Sequence, residues 1–473
     1  MDYRIKFGTS GWRGVIASDF IFSNVRKVAR GISRYLIENK ISNRGIVVGY
    51  DTRFLSREFA KEAAKIFADS EITVYFINEP APTPVISFTI LKFNAAGGVN
   101  ITASHNPYYY SGLKFSPSWG GPAEPEVTKK IENLLNKESD EEVKNSFDFF
   151  VKNNKIIIID PSDDYLTNLF KVLPYEINTS KPIVLDPMYG SGIKYLEKIF
   201  KDNEKVLFIH NTIDPMFGGL EPVPYEEFLV DLKNEVYNKK AILGLALDGD
   251  SDRFGVISSD GTFITPNEVL SILSFHLYNE KKINSGIGRT ISTTRLIDKI
   301  GNHFKVNIYE TPVGFKFIGM LIRDGKIYIG GEESGGLSIG GWLPEKDGIL
   351  ADLLILQICE RENTTPKDLI EDLYKKFGRF YTKRIDLRFS ENERDFVKDF
   401  IDKFEDDNIF GLKIRSIDKK DGLLINLFED LSYLLFRLSG TENVVRVYFE
   451  TQNLELFNLL ENQILNFIKN LMR

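Results

Sequence analysis

The sequence predicts an α/β protein with three successive mixed-sheet α/β domains and a smaller α+β domain at the C-terminus. Short apolar runs alternate with helical patterns through most of the 473 residues, as in parallel or mixed sheets. Beyond residue 377 this alternation gives way to strand-like runs with two helical patterns. The length also exceeds what a single hydrophobic core serves, so several domains are expected.

The first unit is expected to end near residue 150. Its helices are predicted to begin at Ser23, Ser56 and Pro84, because serine is a common N-cap and proline fits the first turn of a helix. Apolar runs predict its strands at 45–50, 72–77 and 97–102. A highly charged segment from 129 to 155 indicates an exposed helix and then a domain boundary.

The alternation restarts twice before the last domain, so we expect domains at 1–150, 151–256, 257–372 and 373–473. The second and third units have three strand candidates each, and a helix is predicted to begin near Asp347. In the last domain, the predicted strands are 384–389, 423–428, 434–438 and 444–450, and the predicted helices are 393–404 and 454–472.

Composition excludes several classes of protein. The net charge of -7 argues against a nucleic-acid partner, which requires a basic face. Cys359 is the only cysteine, which rules out an intramolecular disulfide and indicates a buried structural thiol. Without a signal peptide or a membrane-length apolar run, we expect a cytoplasmic monomer or homodimer that does not bind membranes.

A polar turn, Thr102 to Pro107, follows the apolar run 99–101. The pattern predicts a strand that ends and turns, leaving Ser104 at the carboxyl end of the sheet, where open α/β sheets place their chemistry. Read alone, the same residues also fit an ordinary surface turn.

Three aspartates, Asp248, Asp250 and Asp252, follow the predicted strand 243–247. Alternate residues of an extended chain point to one side, so we expect the three carboxylates to converge on a cation, with magnesium favoured by oxygen ligands. An EF-hand is excluded because loop position twelve is Ser259 instead of glutamate. Arg253 is suited to face a phosphate. The alternative is an acidic surface turn.

Two further loops carry binding chemistry. The glycine-rich segment 330–336 contains Glu332 and Ser334, which suit a sugar's hydroxyls, although it also fits a flexible loop. The segment 437–442 combines Arg437 with hydroxyls and a glycine, as in a phosphate cradle, and Arg446 adds a second charge. A plain hairpin connection is the alternative there.

These four loops and the opening Phe7–Gly14 motif, Phe-Gly-Thr-Ser-Gly-Trp-Arg-Gly, resemble the α-D-phosphohexomutase family of phosphoglucomutases and phosphomannomutases. The motifs extend from one end of the chain to the other. The resemblance implies four domains around a central cleft, hexose phosphates as substrates, and Mg²⁺ as the cofactor.

The resemblance also implies roles for individual residues. Ser104 corresponds to the phosphorylated serine, and its phosphate would join the three aspartates around magnesium. Lys114 matches a general acid/base, a role that requires burial and nearby cations to lower its pKa; an ordinary surface lysine is the alternative. Arg13, His105 and Arg253 would line the phosphoserine, with His105 orienting it. The implied substrate-binding residues are Gly314, Glu332, Ser334, Lys346, Arg437, Ser439, Gly440, Thr441 and Arg446.

The implied reaction interconverts glucose 1-phosphate and glucose 6-phosphate through glucose 1,6-bisphosphate, which also serves as activator. Many mannose-accepting relatives carry histidine where this chain has Gly336, so glucose is favoured. A phosphomannomutase or dual-specificity enzyme remains an alternative. Phosphoglucosamine mutase is disfavoured by Glu333 and Gly336. A glucose 1,6-bisphosphate synthase and a non-catalytic sugar-phosphate sensor are alternatives from other classes.

Overall fold

The computed structural model describes residues 5–8, 11–135, 138–428, 431–439 and 443–471, apart from the side chains at 391 and 468–471. Four sheets follow one another along the chain, which confirms the predicted fold class. Within these ranges, no helix is both long and apolar enough to cross a lipid bilayer.

The first domain is a sheet of six strands with helices on its faces. The strands are β1 Trp12–Val15, β2 Ile46–Tyr50, β3 Val74–Ile77, β4 Gly97–Ile101, β5 Tyr110–Pro117 and β6 Ile156–Ile159. The helices are α1 Phe22–Glu38, α2 Ser56–Asp69, α3 Thr83–Phe93, α4 Pro125–Leu135 and α5 Phe147–Lys152. In the order β1-β5-β4-β2-β3-β6, only β5 runs antiparallel to β4 and β1.

Two helix starts differ from the predictions. Helix α1 begins after Ile21, which makes no side-chain capping bond, so Ser23 lies inside the helix. Helix α2 begins at Ser56 itself, and its hydroxyl donates to the buried carboxylate of Asp51 at 2.6 Å. Both predicted serine caps are therefore wrong, whereas α3 begins one residue before Pro84, close to the expectation.

The second domain has a five-stranded sheet in the order β11-β10-β9-β7-β8. Its strands are β7 Ile183–Asp186, β8 Val206–Phe208, β9 Leu243–Leu247, β10 Phe254–Ser258 and β11 Phe263–Ile264, and its helices are α6 Ser162–Val172, α7 Ile193–Ile199 and α8 Val230–Asn238. Strands β7, β8 and β9 are parallel.

The first two sheets do not end at the predicted boundaries. The isoleucine run of β6 pairs with β3, so the first sheet extends beyond residue 150 to Ile159. Residue 256 lies inside β10, which pairs with both β9 and β11, so the second sheet extends to Ile264. The charged segment 129–155 was used to place the first boundary, but high charge indicates only that a segment is exposed. Strand pairing determines where the sheet ends.

The third domain has the sheet order β13-β12-β14-β15. Its strands are β12 Gly286–Thr290, β13 Ile308–Thr311, β14 Ile327–Gly331 and β15 Leu337–Ile339, and its helices are α9 Pro266–Glu280, α10 Leu296–Phe304, α11 Phe315–Arg323, α12 Gly348–Glu362 and α13 Pro366–Phe377. Asp347 caps α12 by accepting from the Leu350 amide at 3.0 Å, as the predicted helix start requires. Cys359 is buried in this helix, as expected.

The fourth domain is a six-stranded antiparallel sheet in the order β16-β21-β20-β19-β18-β17. Its strands are β16 Tyr381–Arg388, β17 Asn408–Ile409, β18 Leu412–Asp418, β19 Leu423–Leu427, β20 Tyr433–Leu438 and β21 Val444–Thr451, and its helices are α14 Arg394–Lys403 and α15 Leu454–Leu471.

The hydrophobic cores separate the last domain from the others. One continuous core includes Ile86 of the first domain, Leu245 of the second and Leu353 of the third. The fourth domain has its own core, formed by residues such as Phe436 and Leu460. Because apolar burial is the main stabilising contribution, the first three domains hold one another more firmly than they hold the fourth.

Candidate active site

Ser104 follows β4 in a buried turn at the carboxyl end of the first sheet. Its backbone has a φ of 55°, in the left-handed region that residues other than glycine seldom adopt. The Ser104 amide donates to the Thr102 hydroxyl at 2.9 Å, which stabilises the turn. The serine is thus placed where the sequence predicts, in a strained conformation typical of functional residues.

The three aspartates converge after β9, although not in the expected way. Their carboxylate oxygens lie within 4.8 Å of one another, and all three side chains are buried. The segment is a tight turn in which Ser251 has a φ of 56°, so the expectation of an extended chain was wrong. The turn is closed by Asp248, whose carboxylate accepts from the Asp252 amide at 2.9 Å.

The two turns face each other closely. The Ser104 hydroxyl donates to Asp248 Oδ2 at 3.1 Å. A Cβ atom at Gly249 would lie 2.8 Å from the Ser104 carbonyl oxygen, so only glycine permits this approach of the two backbones. His105 Nδ1 lies 3.4 Å from the Ser104 hydroxyl. Burial and the charges of Arg253 and Arg13 hold the pKa of His105 well below its usual value, so the ring is neutral.

Mutual repulsion marks this carboxylate cluster as a cation site. Burial, Asp250 and Asp252 raise the pKa of Asp248 well above its usual range. Asp250 Oδ1 and Asp252 Oδ1 are buried and accept no hydrogen bond from the described residues. Buried carboxylate oxygens without partners are unfavourable unless a cation neutralises them, and an all-oxygen donor set suits magnesium.

Two lysines neutralise the other oxygens of the cluster. Lys114, on β5, lies 2.5 Å from Asp250 Oδ2 and 3.0 Å from Asp252 Oδ2. Burial lowers the pKa of Lys114, but Asp250 and Asp252 outweigh it, so the pKa is raised overall. The lowered pKa that a general base requires is therefore absent here, and Lys114 carries a proton. Lys114 is also buried, so the alternative of an ordinary surface lysine is wrong.

Lys346 reaches the same cluster from the third domain, at 3.2 Å from Asp252 Oδ2 and 3.0 Å from Glu345 Oε1. Its pKa is raised because Asp252 and Glu345 outweigh the effect of burial. Asp250 also accepts from the hydroxyl of Thr83, the first residue of α3, at 2.5 Å. Thr83 and Glu345 were not predicted as site residues: Glu345 belongs to the segment around Lys346 but was given no role, and no motif includes Thr83.

Two arginines add positive charge around Ser104. Arg13, on β1, is half-buried, and both partial burial and the neighbouring Arg253 lower its pKa. Arg253 Nε lies 3.9 Å from Asp252 Oδ1 and makes no hydrogen bond within the described residues. A buried guanidinium with an unused donor suits a phosphate oxygen. Thr9 and Ser10 of the opening motif lie outside the described residues.

The predicted sugar loop connects β14 to β15 beside the acidic turn. Glu332 Oε1 accepts from the Gly314 amide at 2.9 Å, which fixes the carboxylate. Burial and Glu333 raise the pKa of Glu332 to about 7. Ser334 is half-buried two residues further on.

Gly336, at the end of this loop, lies against Lys346. A Cβ atom at Gly336 would lie 2.4 Å from Lys346 Cδ. Lys346 is held at its amine by Asp252 and Glu345, so it has little freedom to move aside. The side chain of Lys346 therefore fills the space that a histidine at position 336 would need.

The predicted phosphate cradle lies in the fourth domain. Arg437 and Arg446 are direct cross-strand neighbours on β20 and β21, and Ser439 follows β20. Gly440 and Thr441 lie outside the described residues. Arg394, which was not predicted, donates to the Ser439 carbonyl at 3.0 Å and supports this turn.

One aspartate, also missed from the sequence, joins this cradle to the third domain. Asp421 accepts from Arg437 Nε at 3.0 Å and from the Val313 amide at 2.7 Å. Gly314, the next residue, donates to Glu332. The phosphate and sugar loops are therefore connected through a short chain of hydrogen bonds.

Comparison with known protein families gives the same four-part organisation. Models of the phosphoglucomutase/phosphomannomutase family match the chain in order: alpha/beta/alpha domain I at residues 4–142, domain II at 163–261, domain III at 265–377 and the C-terminal domain at 386–467.

Individual relatives match over almost the whole chain. The phosphoglucomutase of Komagataeibacter xylinus is 28% identical, with 95% of this chain and 87% of the relative covered. Phosphoglucomutase-1 of Homo sapiens is 28% identical, with 94% of this chain and 90% of the relative covered. A solved structure from Thermus thermophilus, provisionally assigned as a phosphomannomutase, is 30% identical with a TM-score of 0.84, covering 99% of this chain and 100% of that one.

The raised pKa of Glu332 gives a testable pH dependence of stability. A carboxyl whose pKa rises from 4.5 to about 7 on folding destabilises the folded state increasingly as the pH rises between those values. We expect Glu332→Gln to increase the free energy of unfolding by up to about 3 kcal/mol at pH 8, and by much less at pH 5. Denaturant unfolding at both pH values measures this difference.

The exposed Glu204→Gln variant, in a turn outside any helix, is the matched control and should have the same stability as wild type at both pH values. A Glu332→Gln variant whose gain is equal at pH 5 and pH 8 would contradict the assignment.

Proposed function

Because the chain belongs to the phosphoglucomutase/phosphomannomutase family of phosphotransferase mutases, we propose that it interconverts glucose 1-phosphate and glucose 6-phosphate, with Ser104 carrying the phosphoryl group. One observation supports this most directly: the Ser104 hydroxyl lies 3.1 Å from the carboxylate of Asp248, inside a cluster of three buried aspartates. A serine in that position meets both requirements of phosphoryl transfer, a nucleophilic oxygen and a cation site beside it.

Asp248, Asp250 and Asp252, together with a phosphate oxygen on Ser104, would hold Mg²⁺. The Oδ1 atoms of Asp250 and Asp252 fit that ion, because they are buried and no described residue donates a hydrogen bond to them. When bound, the ion supplies positive charge that neutralises the transferring phosphoryl group.

The reaction begins with phosphorylated Ser104 and a hexose monophosphate. The free hydroxyl of the sugar attacks the phosphorus, the bond from phosphorus to Ser104 Oγ breaks, and glucose 1,6-bisphosphate forms. Arg253 and Arg13 supply positive charge around the group in transit. Lys114, which is protonated, is suited to give its proton to the departing serine oxygen and then to take up the proton that the attacking sugar hydroxyl loses, so that it ends the step protonated. The same exchange runs backwards in the reverse direction.

The bisphosphate must then reverse its orientation in the site, so that its other phosphoryl group is transferred to Ser104. Glu332 and Ser334 hold the sugar hydroxyls in either orientation, while Arg437, Arg446 and Ser439 hold the phosphate that is not reacting. The fourth domain has a core of its own, separate from the core that the first three domains share, which supports its opening and closing during this step. If ligand-free and ligand-bound forms gave the same small-angle scattering profile, the domain motion would be rejected.

Phosphorylation of Ser104 is the first prediction. We expect part of the purified protein to carry one added phosphoryl group on Ser104, and Ser104→Ala to lose both the group and turnover, since the nucleophile is gone. Intact mass measurement and a coupled assay for glucose 6-phosphate test this.

Ser111→Ala, which removes another buried serine of the same domain, should keep both properties. Turnover retained in Ser104→Ala would exclude the mutase. Assay with and without added glucose 1,6-bisphosphate separates a mutase, which the compound activates, from a bisphosphate synthase, which accumulates it from another phosphoryl donor.

Metal binding gives a second prediction, with a readout besides activity. We expect millimolar MgCl₂ to raise the melting temperature of wild type, because the ion relieves repulsion among three buried carboxylates. The increase should disappear in Asp248→Asn. Thermal unfolding with and without MgCl₂ measures it.

A second cluster of His276, Glu280 and Glu362 provides the control. Glu362→Gln should show the same increase as wild type. If the increase in melting temperature disappeared in Glu362→Gln and remained in Asp248→Asn, the ion would bind at the cluster around His276, which would contradict the proposal.

Sugar preference follows from the packing of Gly336 against Lys346. We expect Gly336→His to lower kcat/KM for glucose 1-phosphate by about 10²-fold, because the new side chain displaces Lys346 from Asp252. We also expect wild type to prefer glucose 1-phosphate over mannose 1-phosphate. Steady-state kinetics with both sugars test these points.

Gly261→Ala, in the turn between β10 and β11, is the control. Its φ of 84° makes alanine locally unfavourable, but a Cβ atom there meets open space, so its kcat/KM should equal that of wild type. An equal or higher kcat/KM of wild type for mannose 1-phosphate would favour the phosphomannomutase alternative.

A further inference from the structure

We propose that Arg53 is a positioning residue for the reaction: its buried guanidinium fixes the backbone of residues 104–110 so that the Ser104 hydroxyl faces Asp248. The inference rests on the proposed function only in taking Ser104 as the phosphoryl carrier.

Arg53 uses all five of its N–H donors inside the protein. Four of them bind backbone carbonyls of the loop that carries Ser104, at distances of 2.6, 2.6, 2.8 and 3.0 Å to the oxygens of Ser104, Asn106, Pro107 and Tyr110. The fifth, Nε, donates to Asp51 Oδ2 at 3.1 Å. Since a guanidinium has five donors, none remains for a substrate.

The loop needs such a partner because it turns sharply between β4 and β5. In this turn four carbonyl oxygens point towards one place, and buried carbonyls without donors are destabilising. Ser104 itself has the left-handed φ of 55°, and its carbonyl has one of the two shortest bonds to Arg53. Arg53 therefore stabilises the conformation that directs the serine hydroxyl towards the acidic turn.

Arg53 is itself held rigidly. Asp51, which directly follows β2, accepts from the Arg53 amide at 3.0 Å and from the Ser56 hydroxyl at 2.6 Å. The ring of Phe217, from the second domain, lies 4.9 Å from the guanidinium carbon. The side chains of Arg53 and Asp51 are fully buried. The loop is thereby tied to the central strand of the first sheet and to the domain that carries the aspartates.

The test uses Arg53→Ala and Arg53→Lys in the full chain. For Arg53→Ala we expect kcat to fall by about 10²-fold or more, with KM for glucose 1-phosphate nearly unchanged, because the serine is misplaced while the sugar-binding loops are intact. Added guanidinium chloride at low concentration should restore part of kcat by occupying the vacated space. Arg53→Lys, with three donors in place of five, should be intermediate.

Hydrogen exchange gives a readout independent of catalysis. Amides of 104–110 should exchange faster in Arg53→Ala than in wild type, while those of α3 should not change. Arg57→Ala, an exposed arginine four residues away, is the control and should match wild type in kinetics and exchange.

Unchanged exchange at 104–110, or a change confined to KM, would overturn the role of Arg53. If Arg53→Ala does not fold, the same comparison is made with Arg53→Lys, and normal kcat and exchange in that variant would overturn it too. If the proposed function were wrong, the results would differ: Ser104→Ala would stay active, and the amides of 104–110 would still exchange faster in Arg53→Ala than in wild type.

Discussion

The constraint on which the structure depends is the burial of three carboxylates side by side opposite a serine hydroxyl. Charged acids out of water repel one another, and burial alone raises the pKa of Asp248. The fold compensates from several directions: Lys114 comes from the first domain and Lys346 from the third, while backbone amides bind Asp248. The two carboxylate oxygens to which no described residue donates are those that would bind the proposed cation.

This electrostatic requirement explains why three domains share one core and the fourth does not. Groups from three domains must keep distances near 3 Å between charged atoms, which a continuous apolar core secures. The fourth domain contacts the third through a small apolar cluster around Ile291 and through polar groups, such as the Arg295 amide, which donates to Glu450 at 2.8 Å. Separating the fourth domain from the third leaves the shared core of the first three domains intact. This arrangement suits the reorientation of the bisphosphate proposed above.

Most strands were predictable because their apolar runs are continuous, as in β2 and β9. Strand β5 was not, since it contains the buried polar residues Ser111, Lys114 and Ser116. These residues interrupt the pattern because the strand borders the candidate site, and local rules fail most often at such places. The predicted serine cap of α2 failed for a related reason: the Ser56 hydroxyl donates to Asp51, a partner that helix propensity does not reveal.

The sequence by itself determined the order of the four domains, the loops that carry the candidate site and the convergence of the three aspartates, because each depends on residues close together in the chain. Only the tertiary structure decided the charge of Lys114, the connection through Asp421 and the role of Arg53. Arg53 and Ser104 are 51 positions apart, and Lys114 and Asp250 are 136 apart. The pKa of a buried group and the partner of a buried donor are set by neighbours in space, which a local pattern does not specify.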